Sequence, residues 1–163
     1  MALPSKVGKF LEAIAEADTI VFDKTGTITK AQPVVSDVIF VSVMKNRMNF
    51  LRIAACLEEH FPHSMAKAVV RAAMDKGLVH EENHSKVEYI VAHGISSRIQ
   101  DKKVIIGSYH FVFEDEQCVI PQGKEELFES LSGECSHLYL AIDGVLAAVI
   151  AITDPIREEA PQV

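Results

Sequence analysis

Residues 23–27, Asp23-Lys24-Thr25-Gly26-Thr27 (DKTGT), stand behind the apolar run Thr19-Ile20-Val21-Phe22 and ahead of ITKAQPVV (28–35). The apolar run reads as a buried strand ending at Asp23, and Gly26 permits a tight turn just after it. In an open α/β sheet, ligands sit in the crevice outside the carboxyl ends of the strands, so this reading puts a carboxylate at a ligand site. A carboxylate so placed suits covalent catalysis, with Asp23 attacking a terminal phosphoryl group. Two anions approach one another only if positive charge is supplied. Lys24 provides some, and a Mg²⁺ held by the Asp23 side chain and a nearby backbone carbonyl provides more. Thr25 and Thr27 add hydroxyl and N–H donors around the phosphoryl oxygens.

The surrounding chain alternates between helical and strand patterns. Upstream, KVGKFLEAIAEA (6–17) repeats Val7, Phe10, Leu11 and Ile14 at spacings of three and four, which predicts a short helix. Downstream, QPVVSDVIFVSVM (32–44) reads as a long strand begun by Pro33, and NRMNFLRIAACLEEH (46–60) as a helix. Phe61-Pro62-His63 interrupts, and SMAKAVVRAAMDKG (64–77) reads as a second helix with Ser64 as N-cap and Gly77 as the stop. KVEYIVA (86–92), ISSRIQ (95–100) and KKVIIGS (102–108) have strand character, and KEELFESL (124–131) is a short helix. SHLYLAI (136–142) and VLAAVIAI (145–152) flank Asp143-Gly144, a dipeptide suited to a tight hairpin. In TDPIREEA (153–160) Asp154 is expected to cap a helix with Pro155 at its first position. The order predicts an α+β fold: an antiparallel sheet with flanking helices, inserted after the first strand of a truncated α/β domain.

Composition narrows the class. Of 163 residues 48% are apolar and 24% charged, the balance of an ordinary globular domain. A net charge of -7 and the lack of a basic stripe argue against nucleic acid as a partner. No apolar run approaches the roughly 20 residues that span a bilayer, and MALPSKVGKF (1–10) has no apolar signal core, so a soluble chain is expected. Cys56, Cys118 and Cys135 are widely spaced and suit a reducing compartment, as small core residues.

DKTGTIT (23–29) resembles the phosphorylation motif of P-type cation-transporting ATPases, members of the haloacid dehalogenase superfamily. The resemblance implies that Asp23 is phosphorylated by ATP, and that Thr25 gives a hydroxyl to the γ-phosphate and a carbonyl to Mg²⁺. A phosphatase of this architecture carries a second carboxylate two residues after the aspartate; Thr25 stands there instead, so water would attack an acyl phosphate slowly. TDPIR (153–157) resembles the hinge of such pumps, with Asp154, Pro155 and Arg157 as its residues. The implied division is residues 1–30 as the first part of the phosphorylation domain, 31–152 as the nucleotide-binding domain and 153–163 as the hinge and the start of the returning domain.

LEEHFPHSMAKAVV (57–70) is similar to the Ser-Glu-His-Pro region of the heavy-metal branch, which implies that Glu58 and His63 hold the adenine and ribose. Pro62 and Ser64 depart from that pattern. The branch's Gly-x-Gly falls on Ala92-His93-Gly94, keeping only Gly94, and its Gly-Asn falls on Gly107-Ser108. His63 has a second reading as a simple helix cap beside Pro62.

No Thr-Gly-Asp segment is present, and the chain is expected to be a fragment of a pump. On that expectation it is a cytoplasmic portion of an integral membrane protein whose partners are ATP or ADP and the remaining phosphorylation, actuator and membrane domains. Alone it would bind adenine nucleotide weakly without turnover, and the unpaired strand 19–22 would favour self-association. Two other readings stay open: a soluble phosphatase of the same superfamily, and a metal-sensing or regulatory module using Cys56, His60 and His63. His80 and His84 are expected in a solvated loop, and Glu114-Asp115-Glu116 in an exposed acidic turn.

Overall fold

The hairpin of β5 (Ser136–Ile142) and β6 (Val145–Thr153) is the spine of the molecule. Asp143 and Gly144 both take positive φ, 49° and 77°, as a two-residue turn requires when it joins right-twisted strands. In this computed structural model, which describes residues 5–41, 47–61, 63–78, 88–90, 94–99 and 101–162, six strands form one sheet. The other four are β1 (Val34–Phe40), β2 (Glu88–Ile90), β3 (Gly94–Ile99) and β4 (Lys102–Gly107). Their order is β1-β6-β5-β4-β3-β2, and every neighbouring pair is antiparallel. The fold is the α+β arrangement expected from the sequence.

Strand β6 lies between β1 and β5 with both faces covered, which is why VLAAVIAI is a continuous apolar run and not an alternating one. Helices α2 (Arg47–Glu58) and α3 (Ser64–Asp75) cover one face, where Phe50, Leu51, Leu57 and Val69 pack on Ile95, Ile106, Leu138, Leu140 and Ile150. On the other face Val41, Ile105, Tyr139 and Val149 pack against Phe111 and Val112 of a helical segment, His110–Asp115. Tyr109, Phe113, Phe128 and Tyr139 extend that second core as an aromatic group, its ring centroids 4.9 to 6.4 Å apart; Phe128 comes from the short helix α4, which spans Glu125–Glu129.

Three expectations are corrected. The run Thr19–Phe22 is not a strand: Ile20, Val21 and Phe22 are 73%, 89% and 57% exposed, because no described segment offers a neighbour to hydrogen-bond with it. No α-helix begins at Asp154; its carboxylate is taken by Thr29 and Gln32 instead, and only a three-residue turn of 3₁₀ helix, Ala160–Gln162, follows. The N-cap of α3 is His63, not Ser64. His110–Asp115 is helical although its consecutive Phe111-Val112-Phe113 has no helical period; Ser108 starts it, accepting from Phe111 N–H through Oγ and from Val112 N–H through its carbonyl. The amphipathic helix predicted upstream is present as α1, Ser5–Ala15, with Phe10 and Ile14 about 70% exposed. His80, His84 and Ala92 lie outside the described residues. In the acidic segment, Glu114 meets His110 at 2.7 Å and Glu116 pairs with Lys103.

Candidate functional site

Helix α2 ends at Glu58, and His63 opens α3. The His63 ring caps the helix, its Nδ1 accepting from Ala66 N–H at 3.3 Å, which leaves Nε2 as the N–H of the neutral ring. Nε2 lies 3.2 Å from Glu58 Oε2, but the two are not aligned as a hydrogen bond, and that carboxyl oxygen is buried without a hydrogen-bond partner. Glu58 is only 2% exposed, and burial pushes its pKa from an ordinary 4.5 up to about 7. The same cause moves His63 the other way, below its ordinary value. Desolvation therefore favours the neutral form of both groups.

Glu58 and His63 form one wall of a cleft of about 280 Å³. Gly94, Gly107 and Ser108 form its rim at the ends of β3 and β4, and Met65, Ile95, Ile106 and Leu138 give it apolar sides. Among the described residues no Lys or Arg lines it. A cleft with apolar walls, the imidazoles of His63 and His137, both held below their ordinary pKa by burial, and a carboxyl group poised between donor and acceptor fits a flat, uncharged heteroaromatic ring better than a phosphate. All five residues expected to hold nucleotide are thus in one place. The four apolar wall residues were absent from the expected set, since in sequence they look like any other inward-facing strand or helix positions.

A second cluster surrounds the DKTGT segment. Asp23 is exposed and extended, and the chain turns at Thr25-Gly26, where Gly26 takes φ 83°. Thr29, 2% exposed, anchors the turn: its hydroxyl donates to Asp154 Oδ2 at 2.5 Å and accepts from Gly26 N–H at 3.2 Å. Arg157 closes the other side, donating from Nη2 to Gly26 O at 2.9 Å and from Nε to Thr29 O at 3.1 Å. Thr29 and Ile156 form an antiparallel bridge, flanked by Lys30 N–H to Pro155 O and Arg157 N–H to Ile28 O. The structure therefore brings the five DKTGT residues together with Asp154, Pro155 and Arg157. Thr29 is the residue of this cluster that was not singled out, although it closes the quoted motif; its signal is a Thr with a side chain able both to donate and to accept.

For a magnesium ion, the Asp23 carboxylate and the Thr25 carbonyl would supply two of the about six oxygens it requires. Among the described residues no group of three or more His, Cys, Asp or Glu side chains is placed to hold a metal. Cys56 sits in the core of α2 at 6% exposure, while His60 is exposed.

The two clusters share one end of the sheet. Gly107, at the end of β4, pairs with Gly94 and Tyr139, Ser136 at the start of β5 pairs with Ile152, and β6 leaves the sheet there at Thr153, next to Asp154. Among the described residues no helix is long and apolar enough to cross a membrane.

The family described as haloacid dehalogenase-like hydrolase matches residues 17–163. The chain is 32% identical to copper-transporting ATPase 2 of Rhizobium meliloti (strain 1021) over 155 residues, covering 95% of this chain and 18% of that protein. It is also 32% identical to the zinc-exporting P-type ATPase of Mycobacterium marinum (strain ATCC BAA-535 / M) over 159 residues, covering 97% of this chain and 21% of that one. The solved catalytic domain of the CPx-ATPase CopB-B superposes with a TM-score of 0.65 at 25% identity, over 92% of this chain and 49% of that one. The chain belongs to the haloacid dehalogenase-like hydrolase family, and it spans about a fifth of the length of the curated heavy-metal P-type ATPases it is similar to.

Proposed function

We propose that the chain is the ATP-binding cytoplasmic portion of a heavy-metal-transporting P-type ATPase. Its cleft receives the adenine end of ATP, and Asp23 accepts the γ-phosphoryl group in the intact pump. The buried, unpartnered carboxyl oxygen of Glu58 carries this reading, because a polar atom kept from water at the back of an open cleft lacks only a ligand to complete it. Protonated Glu58 offers one donor and one acceptor to a ring edge, and His63 stands beside it while its own ring fixes the start of α3.

The proposed division is residues 1–30 and 153–163 as parts of the phosphorylation domain and hinge, with 31–152 as the nucleotide-binding domain. Asp23 and Thr25 would hold Mg²⁺, which would neutralise charge on the phosphoryl group as the Asp23 carboxylate attacks; Lys24 adds to that neutralisation. Gly26 permits the turn, and Thr27 supplies hydroxyl and N–H donors there. The other partners are the remaining phosphorylation, actuator and membrane domains of the pump. Alone, the chain binds ATP or ADP weakly and does not turn it over.

An amide NMR titration with ATP, ADP and GTP, with His63→Gln as control, tests the reading. A Kd near 1 mM amounts to only about 4 kcal/mol, so ligand must reach several millimolar. Shifts at Glu58, His63 and Gly94 that favour adenine and fade in His63→Gln support it; indifference to every nucleotide refutes it.

A further inference from the structure

We propose that Phe111 is a positioning residue for the cleft, its ring holding Gly94 in place from the opposite face of the sheet. The proposal rests on the reading of the cleft as an adenine site. Gly94 opens β3 directly across from Gly107, the last residue of β4. Ile95 and Ile106 turn their side chains to the helix-covered face, where they wall the cleft. By strand alternation a side chain at position 94 would point to the other face. There is no room for one. A Cβ on Gly94 would lie 2.4 and 2.7 Å from Cδ1 and Cε1 of Phe111, and 2.5 Å from the Ile106 carbonyl oxygen.

At Gly94, therefore, one thickness of backbone separates the cleft from the Phe111 ring. The ring cannot retreat, being 1% exposed and packed in the second core with Ile105, Val112 and Tyr139. The backbone of Phe111 is also tied to the rim, at Ser108. The chain leaves the cleft at Gly107-Ser108, and Ser108 Oγ then accepts from Phe111 N–H at 3.3 Å, which starts the turn that carries the ring back under Gly94. Phe111 thus bears on two of the polar or glycine positions of the cleft, Gly94 through its ring and Ser108 through its backbone N–H, and lines no part of the cleft itself. The need for glycine at position 94 comes from the ring behind it, not only from a ligand in front.

The test is an ATP titration of the 163-residue chain, well below its unfolding temperature, for wild type, Phe111→Leu and Val149→Ala. Val149 is fully buried in the same core and lines no part of the cleft, so Val149→Ala controls for lost core packing. We expect Phe111→Leu to weaken ATP binding by at least about fivefold and to displace the Gly94 and Gly107 amide resonances, because a supporting side chain that no longer fills its place loosens the site it supports. Val149→Ala should lower Tm while leaving Kd within about twofold. Equal effects of the two variants on Kd, or none from Phe111→Leu, would overturn the proposal while leaving the adenine site standing. If wild type ignores ATP at several millimolar, the reading of the cleft falls and the positioning role with it. Should Phe111→Leu fail to fold, Phe111→Met is judged by the same criteria.

Discussion

Replacing Glu58 with glutamine should make stability independent of the pH that now controls it at this position. Burial raises the Glu58 pKa from 4.5 to about 7, and a displacement of that size corresponds to about 3 kcal/mol of preference for the protonated form. Because the folded-state pKa is the higher one, the folded chain holds this proton where the unfolded chain has released it. The contribution is therefore fully present below about pH 4.5 and is lost as pH rises through about 7. Glutamine mimics the protonated carboxyl and has nothing to lose. His63, the nearest titratable neighbour at 3.2 Å, is held below its ordinary 6.5 and so stays neutral through the upper part of this window. Urea or thermal unfolding of wild type and Glu58→Gln should give nearly equal stability at about pH 4, below the ordinary carboxyl pKa of 4.5. At pH 8 the variant should be more stable by about 3 kcal/mol, or roughly 6 to 12 °C in Tm for a chain of this size. Titrating groups remote from position 58 cancel in the comparison. A difference between the two proteins that stays flat from pH 5 to 8 would refute the claim that this carboxyl is buried and neutral.

Three further outcomes follow from the geometry. Gly94→Ala meets a backbone carbonyl as well as the Phe111 ring and should cost about 3 kcal/mol, the upper part of the overpacking range, seen as a Tm lower by several degrees together with lost ATP binding; an unchanged Tm would contradict it. Thr29→Val removes the hydroxyl that joins Gly26 to Asp154, and amide exchange at Thr29 and Lys30 should accelerate about tenfold or more while the β5–β6 amides keep their protection. Deleting residues 1–17 removes a helix whose apolar side chains Phe10, Leu11 and Ile14 are exposed, so Tm should move by no more than about 2 °C; a larger loss would mean that α1 docks on the sheet in solution.

The parts of the fold legible in the sequence are those whose causes are local. The Asp143-Gly144 turn announces its hairpin by backbone preference alone, and the apolar rows of α2 and α3 announce the face they bury. Thr19–Phe22 has the composition of a strand, but strand formation depends on a neighbour, and that lies outside what a single segment encodes. Asp154-Pro155 carries an ordinary helix-start signal, and it is overridden by Thr29, 125 positions away, which takes the carboxylate first. Cap preferences rank serine above histidine, yet a ring nitrogen at His63 reaches Ala66 N–H equally well. At the cleft, Glu58 was found through its resemblance to a motif; nothing in LEEH foretells 2% exposure, because that depends on how α2 ends over β3 and β4. Phe111 was missed for a related reason. An aromatic in a run of three apolar residues carries no sign that a glycine from another strand lies beneath it.

The bridge between Thr29 and Ile156 has a consequence for how such a chain can vary in length. Everything from residue 30 to residue 155 begins and ends at one point, so to the flanking segments it is a single loop fastened at its base by Thr29, Asp154 and Arg157. The entropy of closing a loop rises by only about 0.6 kcal/mol for each doubling of its length. A host fastened in this way is nearly indifferent to the size of what it carries, and the cassette can be shortened, enlarged or exchanged for another while the fastening residues and the DKTGT turn beside them stay as they are.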